Sequence, residues 1–284
     1  MNKFYFVCLS FFLWVGSYIN ASPFVIGDLM GQLGNQMFII SAATSLALDN
    51  GADPLFPALA SVKQFNIPVN YEKVFRHLNA SKPEENIEFY YLEPHFHFAP
   101  IPYCPNMIIR GWFQSEKYFH HHKQEILMLF SPSQEIESYL KNKYAEIINH
   151  SKTVSIHYRS YKTKDPNVAH VYADCGLDYY ERAISLFPSD SLFVVFSDEI
   201  DWCKKNFSHL PFQFYFVEDE THYHDLYLMS MCRHNIICNS SFSWWGAYLN
   251  RHPDKIVVAP GNWFNQNYKT DTQDLIPDEW IVIR

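Results

Sequence analysis

An arginine that closes an apolar strand is a group built to hold a diphosphate. Of the 284 residues only seven are Arg, and Arg159 stands at the end of Ser155-Ile156-His157-Tyr158-Arg159. Its planar fork grips phosphate oxygens in pairs and can neutralise a departing phosphate. A surface ion pair is the other reading of that residue. Three further segments carry polar groups at turns. Gly31-Gln32-Leu33-Gly34-Asn35-Gln36 offers glycines, which permit positive φ and a close backbone approach at a helix start, although a plain tight turn would use them equally. Ser197-Asp198-Glu199 ends an apolar run and opens a helix, where capping alone would suit it. Asp225 leads a helical stretch, and beyond it Cys238-Asn239-Ser240-Ser241-Phe242-Ser243 sets hydroxyls at a helix N-terminus, a cradle for phosphate, before Trp244-Trp245, a pair suited to core packing.

These segments need a scaffold that brings strand ends together. Pro23–Ile26 reads as a short buried strand, the glycine turn follows, and Gln36–Asn50 carries apolar residues at helical spacing. Residues 51–110 are rich in Pro and aromatics and yield no clear elements beyond a strand ending near Ile108-Ile109, before Arg110-Gly111-Trp112. A polar helix is expected over Gln134–His150. Then strands at Thr153–His157, Leu192–Ser197, Phe212–Phe216, Asn235–Cys238 and Lys255–Ala259 alternate with helices at Asp178–Leu186, Ile200–Asn206, Asp225–Cys232 and Trp244–Asn250. Such alternation implies right-handed crossovers and parallel sheets. The expected fold is α/β, with two Rossmann-like units: residues 22–150 and 151–284. In such sheets ligands lie outside the carboxyl ends of the strands, where all four segments fall.

Composition narrows the function classes. Aromatic residues make up 18% and glycines number nine, so disordered, low-complexity and collagen-like classes are excluded. A net charge of −8 disfavours nucleic acid as a partner. Residues 1–21 have the basic start, apolar Phe4–Val15 run and small-residue exit of a secretory signal cleaved after Ala21; an uncleaved anchor or a buried segment is the other reading, and the run is short for a bilayer span. Beyond that leader five cysteines remain, with no C-x-x-C, an odd number unlike a disulfide scaffold, though one or two bridges would be allowed in an oxidising compartment. No metal site is expected. His120-His121-His122, His95-x-His97 and His222-x-His224 lack the second cluster of a structural zinc site and are read as solvated or capping.

Taken together the segments resemble glycosyltransferase family 11, the α-1,2-fucosyltransferases that use GDP-fucose. Met30-Gly31-Gln32-Leu33-Gly34-Asn35-Gln36-Met37-Phe38 is similar to the family's GGLGNQMF, with Gln32 for the second glycine; His157-Tyr158-Arg159 is similar to the start of H-x-R-R-G-D; and Asn239–Leu249, NSSFSWWGAYL, is the most specific match. Leu177-Asp178-Tyr179-Tyr180 and Phe196-Ser197-Asp198-Glu199 add to it in the right order. The resemblance implies a GT-B-like arrangement, an acceptor-side first domain and a second domain that binds GDP-fucose, with no cofactor and no metal. It assigns Arg159 to the pyrophosphate and the leaving GDP, with Asn35 approaching the same region. His157 and Asp225 become the nucleoside-binding pair, Ser240 and Ser241 the β-phosphate ligands, and Asp198 a support for the donor pocket. Gly31, Gly34 and Phe242 line the same donor site.

Two features bear on mechanism. No D-x-D occurs, as in a metal-independent inverting transferase and unlike a metal-binding GT-A enzyme. Where the family has a second Arg and then Gly-Asp, this chain has Ser160, Tyr161 and Lys162, so one contact is lost or moved to Lys162 or Lys164. Asp165 and His170 are candidates for a general base. The expected reaction moves L-fucose to a galactoside hydroxyl of a glycan. A transferase for another GDP-sugar or a protein hydroxyl, and a non-catalytic glycan-binding relative, are the alternatives. Location follows from the leader: a membrane or secretory compartment, Golgi-like in a eukaryote, where Asn79 and Asn206 would be glycosylation sites, or cytoplasmic or inner-membrane-associated in a bacterium.

Overall fold

A computed structural model describes residues 22–161 and 168–284. The expectations for the leader and for Lys162, Lys164 and Asp165 lie outside the described residues.

The first sheet has four short strands, β1 (Phe24–Gly27), β2 (Asp53–Leu55), β3 (Phe89–Leu92) and β4 (Met107–Arg110), in the order β2-β1-β4-β3, all parallel. Every residue of β1 is buried, as a parallel strand covered on both faces requires. Around it lie α1 (Leu33–Asp49), α2 (Ala58–Ser61), α3 (Ile67–Lys73) and α4 (Lys123–Leu129). The polar helix expected over 134–150 is divided at Tyr144 into α5 (Gln134–Lys143) and α6 (Ala145–Asn149). Tyr144 turns its hydroxyl toward Glu220 at 2.8 Å, a tertiary contact no local pattern announces.

The second sheet comprises β5 (Thr153–Tyr158), β6 (Leu192–Ser197), β7 (Gln213–Phe216), β8 (His234–Ile236), β9 (Val257–Pro260) and β10 (Ile281–Ile283), again all parallel. The helices between them are α7 (Leu177–Ile184), α8 (Ile200–Phe207), α9 (His222–Met231) and α10 (Ser241–Tyr248). The strand order is β7-β6-β5-β8-β9-β10. Counted from β5, that is the 3-2-1-4-5-6 order of a dinucleotide-binding sheet, whose direction of winding reverses between β5 and β8. A crevice opens at such a reversal, so the ends of β5 and β8 are where a ligand belongs. The apolar stretches placed α9 and α10 correctly, but both helices begin earlier, because Thr221 and Ser240 cap them and accept from the N–H groups of His224 and Phe242.

One aromatic core runs through both halves. Phe38 of α1 packs on Trp244 and Trp245 of α10 with ring centroids 4.5 and 5.2 Å apart, and Phe119 stacks on Trp245 at 5.6 Å. A second core, with Ile156, Tyr180, Phe193 and Phe207, covers the other face of the second sheet. Cys104, Cys175, Cys203, Cys232 and Cys238 are all free thiols, so the described residues hold no disulfide. No described helix is long and apolar enough to cross a membrane.

Candidate active site

Helices α1 and α10 begin at the carboxyl ends of β1 and β8, and their N-termini touch. A Cβ on Gly34 would lie 2.5 Å from the Ser241 carbonyl carbon and 2.6 Å from the Phe242 nitrogen, so only glycine allows this approach. Two partial positive charges therefore face one place. Asn35 spans the contact: its Oδ1 accepts from Ser241 Oγ and from Gln114 Nε2, both at 2.8 Å. With its carbonyl so engaged, the amide turns Nδ2 the other way, over Gly31, where an added Cβ would be 2.4 Å from that nitrogen. Gly31 also has φ +69°, so both sterics and backbone demand glycine. Asn35 Nδ2 bonds to no other described residue and is a donor presented to a ligand.

Gln36 is buried behind it. Its Nε2 donates to the Gly31 carbonyl at 2.7 Å and the Phe65 carbonyl at 3.0 Å, and its Oε1 accepts from Asn70. Asn70 Oδ1 in turn accepts from His222 Nε2 at 2.8 Å, which ties the glycine loop to the first turn of α9. Desolvation lowers the His222 pKa, keeping the ring neutral in this chain.

Arg159 leaves the end of β5 half-buried, its guanidinium carbon 5.1 Å from the centre of the Tyr161 ring. Tyr161 is stacked on Tyr172 at 4.0 Å and donates its hydroxyl to the Asn239 carbonyl at 3.1 Å. Arg159 Nε is buried and has no hydrogen-bond partner. A buried guanidinium N–H without a partner is costly, and an anion at the reversal point would satisfy it. Among the described residues Arg159 makes no salt bridge.

His157, one residue from Tyr158, lies buried with Nδ1 3.2 Å from Cys238 Sγ and its ring 5.5 Å from that of Phe242. Burial, aided by the charge of Arg159, pushes its pKa down to about 3, so it stays uncharged and can offer a ligand only hydrogen bonds. Ser240 is buried and its hydroxyl oxygen accepts in the α10 cap, while the Ser241 hydroxyl is committed to Asn35 Oδ1. Asp225 lies in the first turn of α9. Its Oδ1 is buried without a partner, and desolvation together with the charge of Glu220 pushes its pKa up to about 7. The proposed pair does not meet directly: no bond joins Asp225 to His157, and a ligand would have to span them. Asp198 is exposed at the end of β6, beside β5 in the sheet.

Gln114 was not singled out by the sequence reading, although it follows β4 at the first sheet's own strand end, the same signal that marks Arg159. It is aimed by the turn before it. Glu93 accepts from the backbone N–H of Trp112 at 2.6 Å and of Phe113 at 3.1 Å, and Phe113 holds a positive φ of 48°. His170 is exposed and lines a cavity of about 590 Å3 with Ala173, Phe264 and a run of amides, Asn262, Asn265, Gln266 and Asn267. Phe264 reaches this cavity from the ring of Tyr172, 5.5 Å away, so it adjoins the Arg159 stack.

A family model described as Glycosyl transferase family 11 matches residues 27–284. This chain is a member of glycosyl transferase family 11. Among curated proteins, the O-antigen biosynthesis glycosyltransferase WbnK of Escherichia coli is 34% identical over 60% of this chain and 59% of its own length, and an alpha-1,2-colitosyltransferase of Escherichia coli is 33% identical over 61% of each. The chain thus spans about three fifths of these two relatives. A galactoside alpha-(1,2)-fucosyltransferase 2 of Oryctolagus cuniculus is 26% identical over 90% of this chain and 75% of its length. The solved fucosyltransferase NodZ from Bradyrhizobium superposes with a TM-score of 0.53 at 15% identity, covering 80% of this chain and 92% of that one. This likeness fixes the fold of the family 11 chain as GT-B-like, and the three segments that carry the family resemblance fall at the carboxyl ends of β1, β5 and β8.

Proposed function

We propose that this chain transfers L-fucose from GDP-fucose to a hydroxyl of a galactose-terminated glycan, forming an α-1,2 linkage with inversion and without a metal. The observation that carries the reading is the buried, unpartnered Nε of Arg159 at the end of β5, on the side of the sheet where the helix N-termini also lie. Glycosidic bond cleavage builds an oxocarbenium-like centre on the sugar and negative charge on the leaving GDP, so fixed donors aimed at the phosphates lower the barrier most. Arg159 supplies such a donor, Asn35 Nδ2 and the backbone N–H of Ser241 at the start of α10 supply others, and Asp225 accepts from the N–H edge of guanine. Inversion requires the acceptor hydroxyl to approach from the face opposite GDP. The amide-lined cavity beside Phe264 has the polar edge and aromatic face suited to a sugar, and His170 is the group there able to take a proton.

The 33%-identical relative named alpha-1,2-colitosyltransferase supports a second reading, in which the same site accepts another GDP-activated deoxyhexose. Donor hydrolysis and transfer to a galactoside, measured with GDP-fucose, GDP-colitose and GDP-mannose, separates the two. Arg159→Ala is expected to lower kcat about 100- to 1,000-fold, and Arg159→Lys to recover only part, since it lacks the fork. A folded wild type that binds GDP yet turns over none of these donors would overturn the enzyme reading.

A further inference from the structure

A second cluster of ligating groups lies far from the site. Asp49 ends α1, and the turn of His120–His122 folds back on it across more than seventy residues of sequence. The carboxylate meets both imidazoles: His121 Nε2 lies 3.0 Å from Oδ2 and 3.2 Å from Oδ1, and His122 Nε2 lies 2.9 Å from Oδ1. One ligand atom from each of the three residues falls within 4.8 Å of the others, on the surface where solvent has access. Two atoms bound to one ion at about 2.0–2.1 Å sit roughly 2.8–3.4 Å apart for angles between octahedral and tetrahedral. The carboxylate-to-imidazole separations already meet that spacing.

The surroundings agree with it. His122 Nδ1 points toward Glu125, 4.0 Å away, and a ligating imidazole is ordinarily oriented by a carboxylate on its other nitrogen. Ser45 Oγ lies 3.2 Å from His121 Nε2, a contact that the ion would replace on binding. The histidines were read from sequence as solvated because no second cluster accompanies them; the fold supplies the missing oxygen ligand from α1.

We propose that Asp49, His121 and His122 bind a divalent transition-metal ion of the zinc class, with water completing its coordination. The role is structural. A helix of 17 residues is about 25 Å long, which separates this end of α1 from Asn35 at the other, so the ion pins the segment after Gln114 to α1 without meeting substrate.

The test is zinc titration of the full chain free of any histidine tag, followed by calorimetry and thermal unfolding. One ion per chain and a zinc-dependent rise in Tm are expected, with sugar transfer unchanged by EDTA at a temperature where the metal-free chain stays folded. Asp49→Asn, His121→Ala and His122→Ala should each weaken zinc at least about tenfold, whereas His120→Ala, a neighbour outside the cluster, should not. These side chains are exposed enough for the variants to fold, which the metal-free Tm checks. Absence of saturable zinc binding, or equal binding by all four variants and wild type, would overturn the proposal.

Discussion

Asp225 shows how much one buried carboxylate can set. Its proton is held up to about pH 7 by desolvation and by Glu220, whose own charge is fixed through Lys143, Tyr139, Tyr144 and His224. In the proposed role, only the charged form accepts from both guanine N–H donors at once. Affinity for GDP should therefore be constant at high pH and weaken as pH falls through about 7, by up to tenfold per unit; Asp225→Asn should bind less tightly and show a flat profile. Calorimetric titration of GDP between pH 5.5 and 8.5 checks this, and a sloping profile in the variant would assign the effect elsewhere. The sign for folding is opposite: an acid whose native pKa is raised makes the empty chain less stable as pH climbs from the usual carboxylate range toward 7. At the same scale, Gln114→Leu removes one of the two donors on Asn35 Oδ1 and lets the amide turn over. A loss of about tenfold or more in kcat with GDP affinity nearly intact is expected, and steady-state kinetics beside GDP titration reads it.

Among the elements, the meeting of α1 and α10 matters most. Gly34→Ala would drive a methyl into backbone atoms at 2.5–2.7 Å, and backbone cannot swing aside as a side-chain tip can. The helix starts must separate, and a shift of about 1 Å is expected to cost about 100-fold in kcat, more than it costs in Tm. Kinetics with paired thermal unfolding decides the matter. The sequence revealed these helices because each follows an apolar strand and a turn, and it revealed Arg159, Asn35 and Ser241 because all three stand at strand or helix ends. It hid β2, β3 and α2, which are three or four residues long and too short for any period to appear. It hid the work of Gln114 and Tyr161 as well. Gln114 reaches Asn35 across 79 positions, and Tyr161 replaces a small residue of the family pattern with a ring that props Arg159; both roles arise only from tertiary packing.

For the whole molecule, Glu220 is the polar joint between halves. It lies just before α9 and collects Lys143 at 2.5 Å, Tyr144 at 2.8 Å, Tyr139 at 2.9 Å and His224 at 2.7 Å. Though its burial opposes the charge, these four partners lower its pKa to about 2. Its contribution to stability is thus full above the ordinary glutamate value near 4.5 and vanishes as pH falls through about 2. Glu220→Gln should cost about 2–3 kcal/mol in denaturant unfolding at pH 7 and much less at pH 2.5. An equal loss at both pH values would show that shape rather than charge matters there.

The aromatic seam of Phe38, Phe119, Trp244 and Trp245 has a practical corollary for anyone recombining family members. A chimera cut near residue 150 would pair one parent's Phe38 and Phe119 with the other's tryptophans, leaving holes or clashes in the core that joins the two sheets. Hybrids should survive only when α1, the segment around Phe119 and α10 are inherited as one block.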